Sequence, residues 1–209
     1  VLSTVDPAGP AARTIATLWW LLFAGASVVF GLVMLLVFFS FQGKRAAKDE
    51  ASQVRVWIVG LGLIFPMVVL AALLAYGLVV GERLLPREGA NVVSVHAQAR
   101  RWEWTFTYDD ASEQETKGTL HIPAGRPVNV AITTTDVIHS FWVPRLAGKL
   151  DAIPGRTNIL RIEADSPGTY EGTSAEFSGA GYDGFTFQVI AHDPTQWDAF
   201  LKGELNEGS

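Results

Sequence analysis

Between Thr14 and Gly43 the chain carries no charged residue, and most positions are Leu, Val, Phe, Ala or Trp. A second uncharged run extends from Val56 to Gly81. A helix needs ~20 residues to cross the hydrocarbon core of a bilayer, and both runs are longer. Lipid offers no partner for backbone N–H and C=O groups, so a crossing segment must satisfy them within itself. The two runs therefore predict transmembrane helices over 14–42 and 56–82, not two core helices of a soluble protein.

The ends of the runs agree with this reading. Trp19 and Trp20 stand near the start of the first, Phe38, Phe39 and Phe41 near its end, and Trp57 opens the second. Aromatic rings at these positions suit the lipid–water boundary. Gly25, Ala26, Gly60, Gly62, Ala71, Ala72 and Ala75 leave room for close helix approach. Pro66 removes a backbone donor inside the second run and predicts a kink there. The loop 43–55 holds Lys44, Arg45, Lys48 and Arg55, which places it on the cytoplasmic side and both termini outside. Neither span carries a charged side chain, and proton relays within membranes need such groups. A chain of this kind packs against a channel or pump; it does not form one.

The remaining organisation reads as an outer N-terminal segment (1–13), a linker (83–90), a β-domain (91–192), and a C-terminal helix with tail (193–209). The chain opens on Val1, which predicts a processed N-terminus from which a signal segment has been removed. The net charge of -5 and the lack of a Lys/Arg run of the kind that grips nucleic acid argue against a nucleic-acid partner. The sequence contains no cysteine. That removes disulfides, thiolate metal sites, thiol nucleophiles and c-type haem attachment together.

From Asn91 the pattern becomes short alternating segments between turn residues. Val93, Val95 and Ala97 alternate with polar neighbours, as do Trp102, Trp104, Phe106 and Tyr108. Val128, Val130 and Ile132 follow, then Leu160 and Ile162, then Phe185, Phe187 and Val189. About seven or eight strands at this spacing predict a sandwich or barrel. Asp193 and Pro194 predict the start of a final helix with Trp197, Phe200 and Leu201 on one face.

Four motifs follow in order: Asp136-Val-Ile-His-Ser-Phe-Trp-Val-Pro144, Lys149-Leu-Asp-Ala-Ile-Pro-Gly-Arg156, Pro167-Gly-Thr-Tyr170 and Ser174-Ala-Glu-Phe-Ser-Gly179. In order and spacing they resemble subunit II of haem-copper terminal oxidases. Trp102-Glu-Trp104 resembles that family's aromatic strand, and the two-span anchor matches as well. The resemblance implies a two-helix transmembrane hairpin followed by an all-β cupredoxin-like Greek-key barrel with a short C-terminal helix. In copper-bearing members the loop reads Cys-x-Glu-x-Cys with a His and a Met after it, and an upstream His completes a dicopper centre. Here His139 and Glu176 remain, but Ser174 and Ser178 stand at the cysteine positions, and Tyr182 and Phe185 at those of His and Met. Serine hydroxyls are hard, neutral and poor ligands for copper, which favours thiolates. The chain is therefore expected to bind no copper, as in the quinol-oxidase form of the family, and His139 to be a partly buried imidazole bonded to backbone.

The resemblance further implies a non-catalytic role. Subunit I would hold the haems, copper and quinol site, with subunits III and IV as further partners and ubiquinol or menaquinol as donor. The location implied is the bacterial cytoplasmic membrane, with the β-domain outside. Glu176 could contribute to a magnesium or manganese ion at the boundary with subunit I, or be a carboxylate bonded to loop backbone or to an arginine of the partner. Trp102, Trp104, Trp142, Asp151 and Arg156 are candidate partner contacts; for Trp102 and Trp104 the other readings are core packing and an electron-entry surface. Asp49 and Glu50 are the nearest acids to the cytoplasmic end of the second span, as a proton-uptake pair or as solvated loop charges. Gly179-Ala-Gly-Tyr-Asp-Gly184 matches G-x-G-x-x-G but lacks the following helix a dinucleotide site requires, and reads as turn glycines. Asp151-Ala-Ile-Pro-Gly-Arg156 is closer to the cytochrome c oxidase form. That leaves a second reading, in which a cytochrome or small copper protein is the donor. A third is a stand-alone membrane-anchored binding or sensor module.

Overall fold

The computed structural model describes residues 2–42, 50–86, 89 and 91–204. The chain divides into two units, one formed by Trp19–Leu84 and the other by Val1–Leu18 together with Leu85–Ser209.

The helical unit follows the uncharged runs. Helix α1 spans Pro10–Gln42, so it is longer than the run that predicts it. The second run folds as α2 (Glu50–Gln53), a π-helical stretch (Val54–Ile64) and α3 (Phe65–Leu84) in succession. Proline cannot donate to the helix ladder, and the backbone just before Pro66 is wound wider: Phe65 N–H bonds Gly60 O, five residues back. Both helices are long and apolar enough to cross a membrane, and the chain covers almost none of their surface. Phe30, Phe41 and Leu78 are at least two-thirds exposed, which in water would be strongly unfavourable. These faces require lipid or the helices of a partner.

The β-unit is a sandwich of two five-stranded sheets. The first has the order β3 (Ala111–Lys117), β2 (Glu103–Tyr108), β1 (Val93–Arg100), β5 (Val128–Thr134) and β8 (Asn158–Ile162). The second has the order β4 (Thr119–Pro123), β10 (Thr186–His192), β9 (Gly168–Ser174), β6 (His139–Trp142) and β7 (Leu150–Ala152). β1 runs parallel to β5 and β4 parallel to β10, and the other pairs are antiparallel. Ten strands thus replace the seven or eight expected. Polar β3 and three-residue β7 carry too little alternation to be read from sequence.

Where alternation is strong, burial follows it residue by residue, as in β1, where Val93, Val95, Ala97 and Ala99 face inward. Register brings Ala99 opposite Trp104 and Ala97 opposite Phe106, so small residues accommodate large ones. Trp104 lies at the centre of the core, fully buried. Its ring centroid is 5.5 Å from Phe141, 5.6 Å from Phe187 and 5.8 Å from Phe185. Gly172 has no Cβ because the Phe187 ring already fills that place.

The N-terminal segment belongs to the β-unit. Ala8 N–H bonds Arg145 O at 2.8 Å, and Asp165 N–H bonds Ala8 O at 2.8 Å. Asp6 pairs with Arg145 at 2.9 Å and Arg13 with Asp165. A Cβ on Gly9 would collide with Glu163 O, so the backbones meet there only because Gly9 lacks one. At the other end Asp193 caps α4 (Pro194–Leu201), accepting from Gln196 N–H at 2.9 Å, and Trp197 and Phe200 are buried.

This packing separates two tryptophans that the sequence pattern treats alike. Trp104→Ala should lower the stability of the full chain in mild detergent by about 3–5 kcal/mol. Trp102→Ala should change it by less than about 1 kcal/mol. Denaturant unfolding followed by near-ultraviolet circular dichroism checks both, and equal losses would contradict the core described here.

Candidate functional site: the loop around His139

The candidate site lies where β6, β9 and the β9–β10 loop meet. β6 pairs with β9 through Phe141 opposite Ser174. Ala175 N–H bonds Ser140 O at 3.1 Å, and Ser174 N–H bonds Phe185 O at 2.9 Å. These bonds draw the loop 175–185 back across His139. Gly179 and Gly181 take positive φ values of 118° and 95°, where a side chain would be strained, and a short 3-10 turn at Tyr182–Gly184 leads into β10. No helix opens after the glycines, so the context for dinucleotide binding is absent at this loop.

His139 is completely buried. Its Nε2 lies 2.8 Å from Asp136 Oδ1. An ionised carboxylate only accepts, so Nε2 donates to Asp136. The bond therefore goes to a side chain, not to backbone as expected. Asp136 is itself tightly held. Burial tends to raise its carboxyl, but Arg101 N–H, the His139 ring, Val137 N–H and the Thr134 hydroxyl overcome that and hold it well below the ordinary 3.8. His139 Nδ1 has no hydrogen-bond partner, and neither has the buried Ser178 Oγ.

The Phe185 ring packs edge-on to His139 at 5.3 Å and stacks on Trp104 at 5.8 Å. Ser174 Oγ accepts from Ser140 N–H at 3.3 Å, so it serves backbone. Tyr182 is half-buried and packs on Phe177 at 5.2 Å. A dicopper centre needs bridging thiolates and further soft or imidazole ligands. The candidate positions here offer one imidazole, two hydroxyls and a hydrocarbon ring. The donor set does not fit a copper pair. Among the described residues no three His, Asp or Glu side chains gather to hold any metal.

Glu176 is half-exposed, with its carboxylate 3.4 Å from Lys149 Nζ, which also lies 3.7 Å from Asp151. Its partner is a lysine of the same chain. One carboxylate shared with an ammonium does not make a magnesium site by itself, since that ion prefers octahedral oxygen ligands. Of the other candidates, Trp142 is half-buried and Arg156 exposed. Trp102 is 43% exposed and lies in the β1–β2 turn, one step before the strand that continues the alternation. Trp104 is fully buried and has no face to offer a partner, which removes it as a contact. Sequence reasoning overlooked Phe177, 71% exposed. Its position inside the Ser174–Gly179 motif was the available signal. Lys44, Arg45, Lys48 and Asp49 lie outside the described residues; Glu50 opens α2.

Residues 110–191 match the family described as Cytochrome C oxidase subunit II, periplasmic domain. The chain is 30% identical to cytochrome c oxidase subunit 2 of Alkalihalophilus pseudofirmus, over 97% of this chain and 62% of that protein. It is 34% identical to quinol oxidase subunit 2 of Bacillus cereus, over 56% of this chain and 41% of that protein. The chain thus spans less than two thirds of these relatives' lengths. Its fold is similar to the crystal structure of the periplasmic domain of cytochrome oxidase subunit II from Bradyrhizobium japonicum, with a TM-score of 0.51 and 20% identity, covering 57% of this chain and 96% of that one. The β-domain therefore has the cupredoxin-like fold and motif order of subunit II of haem-copper terminal oxidases. By sequence the chain is similar both to proteins named cytochrome c oxidase subunit 2 and to proteins named quinol oxidase subunit 2.

Asp136→Asn should loosen His139 by replacing a charge-assisted bond with a neutral one, at a cost of about 1–2 kcal/mol. The depressed carboxyl stabilises the fold above its ordinary value of 3.8 and loses that contribution as acid protonates it. The variant's stability should accordingly fall less steeply on the acid side than the parent's. Parallel acid-side curves would contradict this role for Asp136.

Proposed function

We propose that this chain is the membrane-anchored, non-catalytic subunit II of a haem-copper respiratory terminal oxidase, working without a copper relay of its own. The observation that carries the reading is the Phe185 ring against His139, with Ser174 bonded to backbone, where copper-bearing relatives hold their metals. A domain closed in this way has no centre through which to pass an electron. A quinol dissolves in the bilayer and can deliver electrons directly to subunit I, so the quinol:oxygen reaction needs no external relay. Subunit I would hold the haems, the copper and the quinol site, with subunits III and IV completing the complex. The protein would lie in the bacterial cytoplasmic membrane with its β-domain on the outer side.

The chain's contribution is then docking and shape. Its uncovered apolar helices suit lipid on one side and the helices of subunit I on another. Trp102, Phe177 and Ile138 expose apolar surface near the His139 loop, bordered by the Lys149, Asp151 and Glu176 charges. An aromatic centre with a polar rim is the usual form of an interface. Arg156 and Trp142 would lie at the same boundary. A magnesium or manganese ion at Glu176 would need its remaining ligands from subunit I.

A second reading keeps the oxidase and changes the donor to a cytochrome or small copper protein. It is favoured by the long match to a protein named cytochrome c oxidase subunit 2 and by the Asp151–Arg156 motif. Oxygen uptake by the purified complex separates the two. Quinol should support turnover well above that with reduced cytochrome c, and the reverse order would overturn the quinol assignment. Phe177→Asp should weaken the hold on the haem-bearing subunit by at least about 2 kcal/mol without unfolding the chain. Undiminished haem co-purification with that variant would remove this face from the interface.

A further inference from the structure

A second buried polar cluster lies under the C-terminal helix. His121 on β4 and His192 on β10 are far apart in sequence, but the parallel pairing of their strands brings the rings together. Their nitrogens, His121 Nδ1 and His192 Nε2, are 2.7 Å apart and the rings lie within 3° of parallel. Phe200 of α4 stacks on His121 at 4.5 Å and on His192 at 6.0 Å. Around them stand Tyr108 from β2, Gln114 and Thr116 from β3, and Asp193, Gln196 and Trp197 from α4 or its cap. Tyr108 is the only other ionisable group facing His121 from β2; burial pushes its hydroxyl up to about 12, so it stays neutral, accepting from His121 N–H and donating to Thr116. Asp193 is the charged group acting on His192.

With the pair neutral, one ring nitrogen donates and the other accepts. One added proton still fits, because the donating ring can be charged while the other accepts. Two added protons do not: both facing nitrogens would carry hydrogens, and two cations would meet under an aromatic ring. We infer that the His121–His192 pair is a proton-sensitive latch for α4, holding the helix docked while at most one imidazole is charged and releasing it when both are. Burial and the neighbouring imidazole lower His121 to about 4, and burial lowers His192 below its ordinary 6.5. The docked form therefore binds fewer protons than the released one, and acid favours release, progressively from about pH 6.5 down to about pH 4. The inference does not depend on which donor the oxidase uses.

Hydrogen exchange of the α4 amides in the full chain in detergent, corrected for intrinsic rates at each pH, tests it. Protection of residues 194–201 should fall about tenfold or more between pH 7.5 and pH 5, while β9 keeps its protection. His121→Phe, which keeps an aromatic ring on Phe200, and His121→Gln, which keeps polarity without a titrating ring, should each weaken this pH dependence and leave only the part that His192 contributes. Two variants guard against one failing to fold. Flat protection in the parent down to pH 4.5 would overturn the latch. So would a pH response unchanged in whichever variant folds.

Discussion

A hydrocarbon ring packed edge-on against a buried imidazole decides the chemistry of this β-domain. Phe185 lies between His139 and Trp104, and the loop that carries it is tied to β6 and β9 by backbone bonds. His139 is oriented by Asp136, and its Nδ1 has no hydrogen-bond partner. Serine hydroxyls lack the charge and softness of thiolates, and a phenyl ring fills space without offering a donor. The two act in the same direction.

The rest of the molecule can be understood as support for docking. The helices bury nearly none of their apolar surface within the chain, and the exposed aromatic residues of the β-domain collect around the same loop. The N-terminal segment is fastened to the β-domain by two ion pairs, by backbone bonds and by the close approach at Gly9. The first turns of α1 are thus part of the β-unit's own structure.

Much of this was legible in the sequence, for identifiable reasons. The membrane helices declare themselves because a run free of charge has few other stable solutions. β1 and β5 are read correctly because their alternation is unbroken, and α4 because Asp193 and Pro194 mark its start. Trp102 was misplaced because the period-two pattern runs one step past the start of β2 into the turn. Strand β3 escaped notice because its polar residues are held by pairing with β2, not by burial of a face. The partner of His139 was taken as backbone, since nothing in the spacing shows that Asp136 turns back three residues to meet the ring. The meeting of His121 with His192 depends on a parallel pairing of distant strands, which only the assembled sheet reveals.

The central claim is that this chain cannot hold a copper pair. Copper analysis of the purified polypeptide after incubation with copper, read with its near-infrared absorbance and electron spin resonance, addresses it most directly. The structure predicts no stoichiometric copper, no near-infrared band and no mixed-valence signal. A copper pair bound per chain with that spectroscopic signature would contradict it.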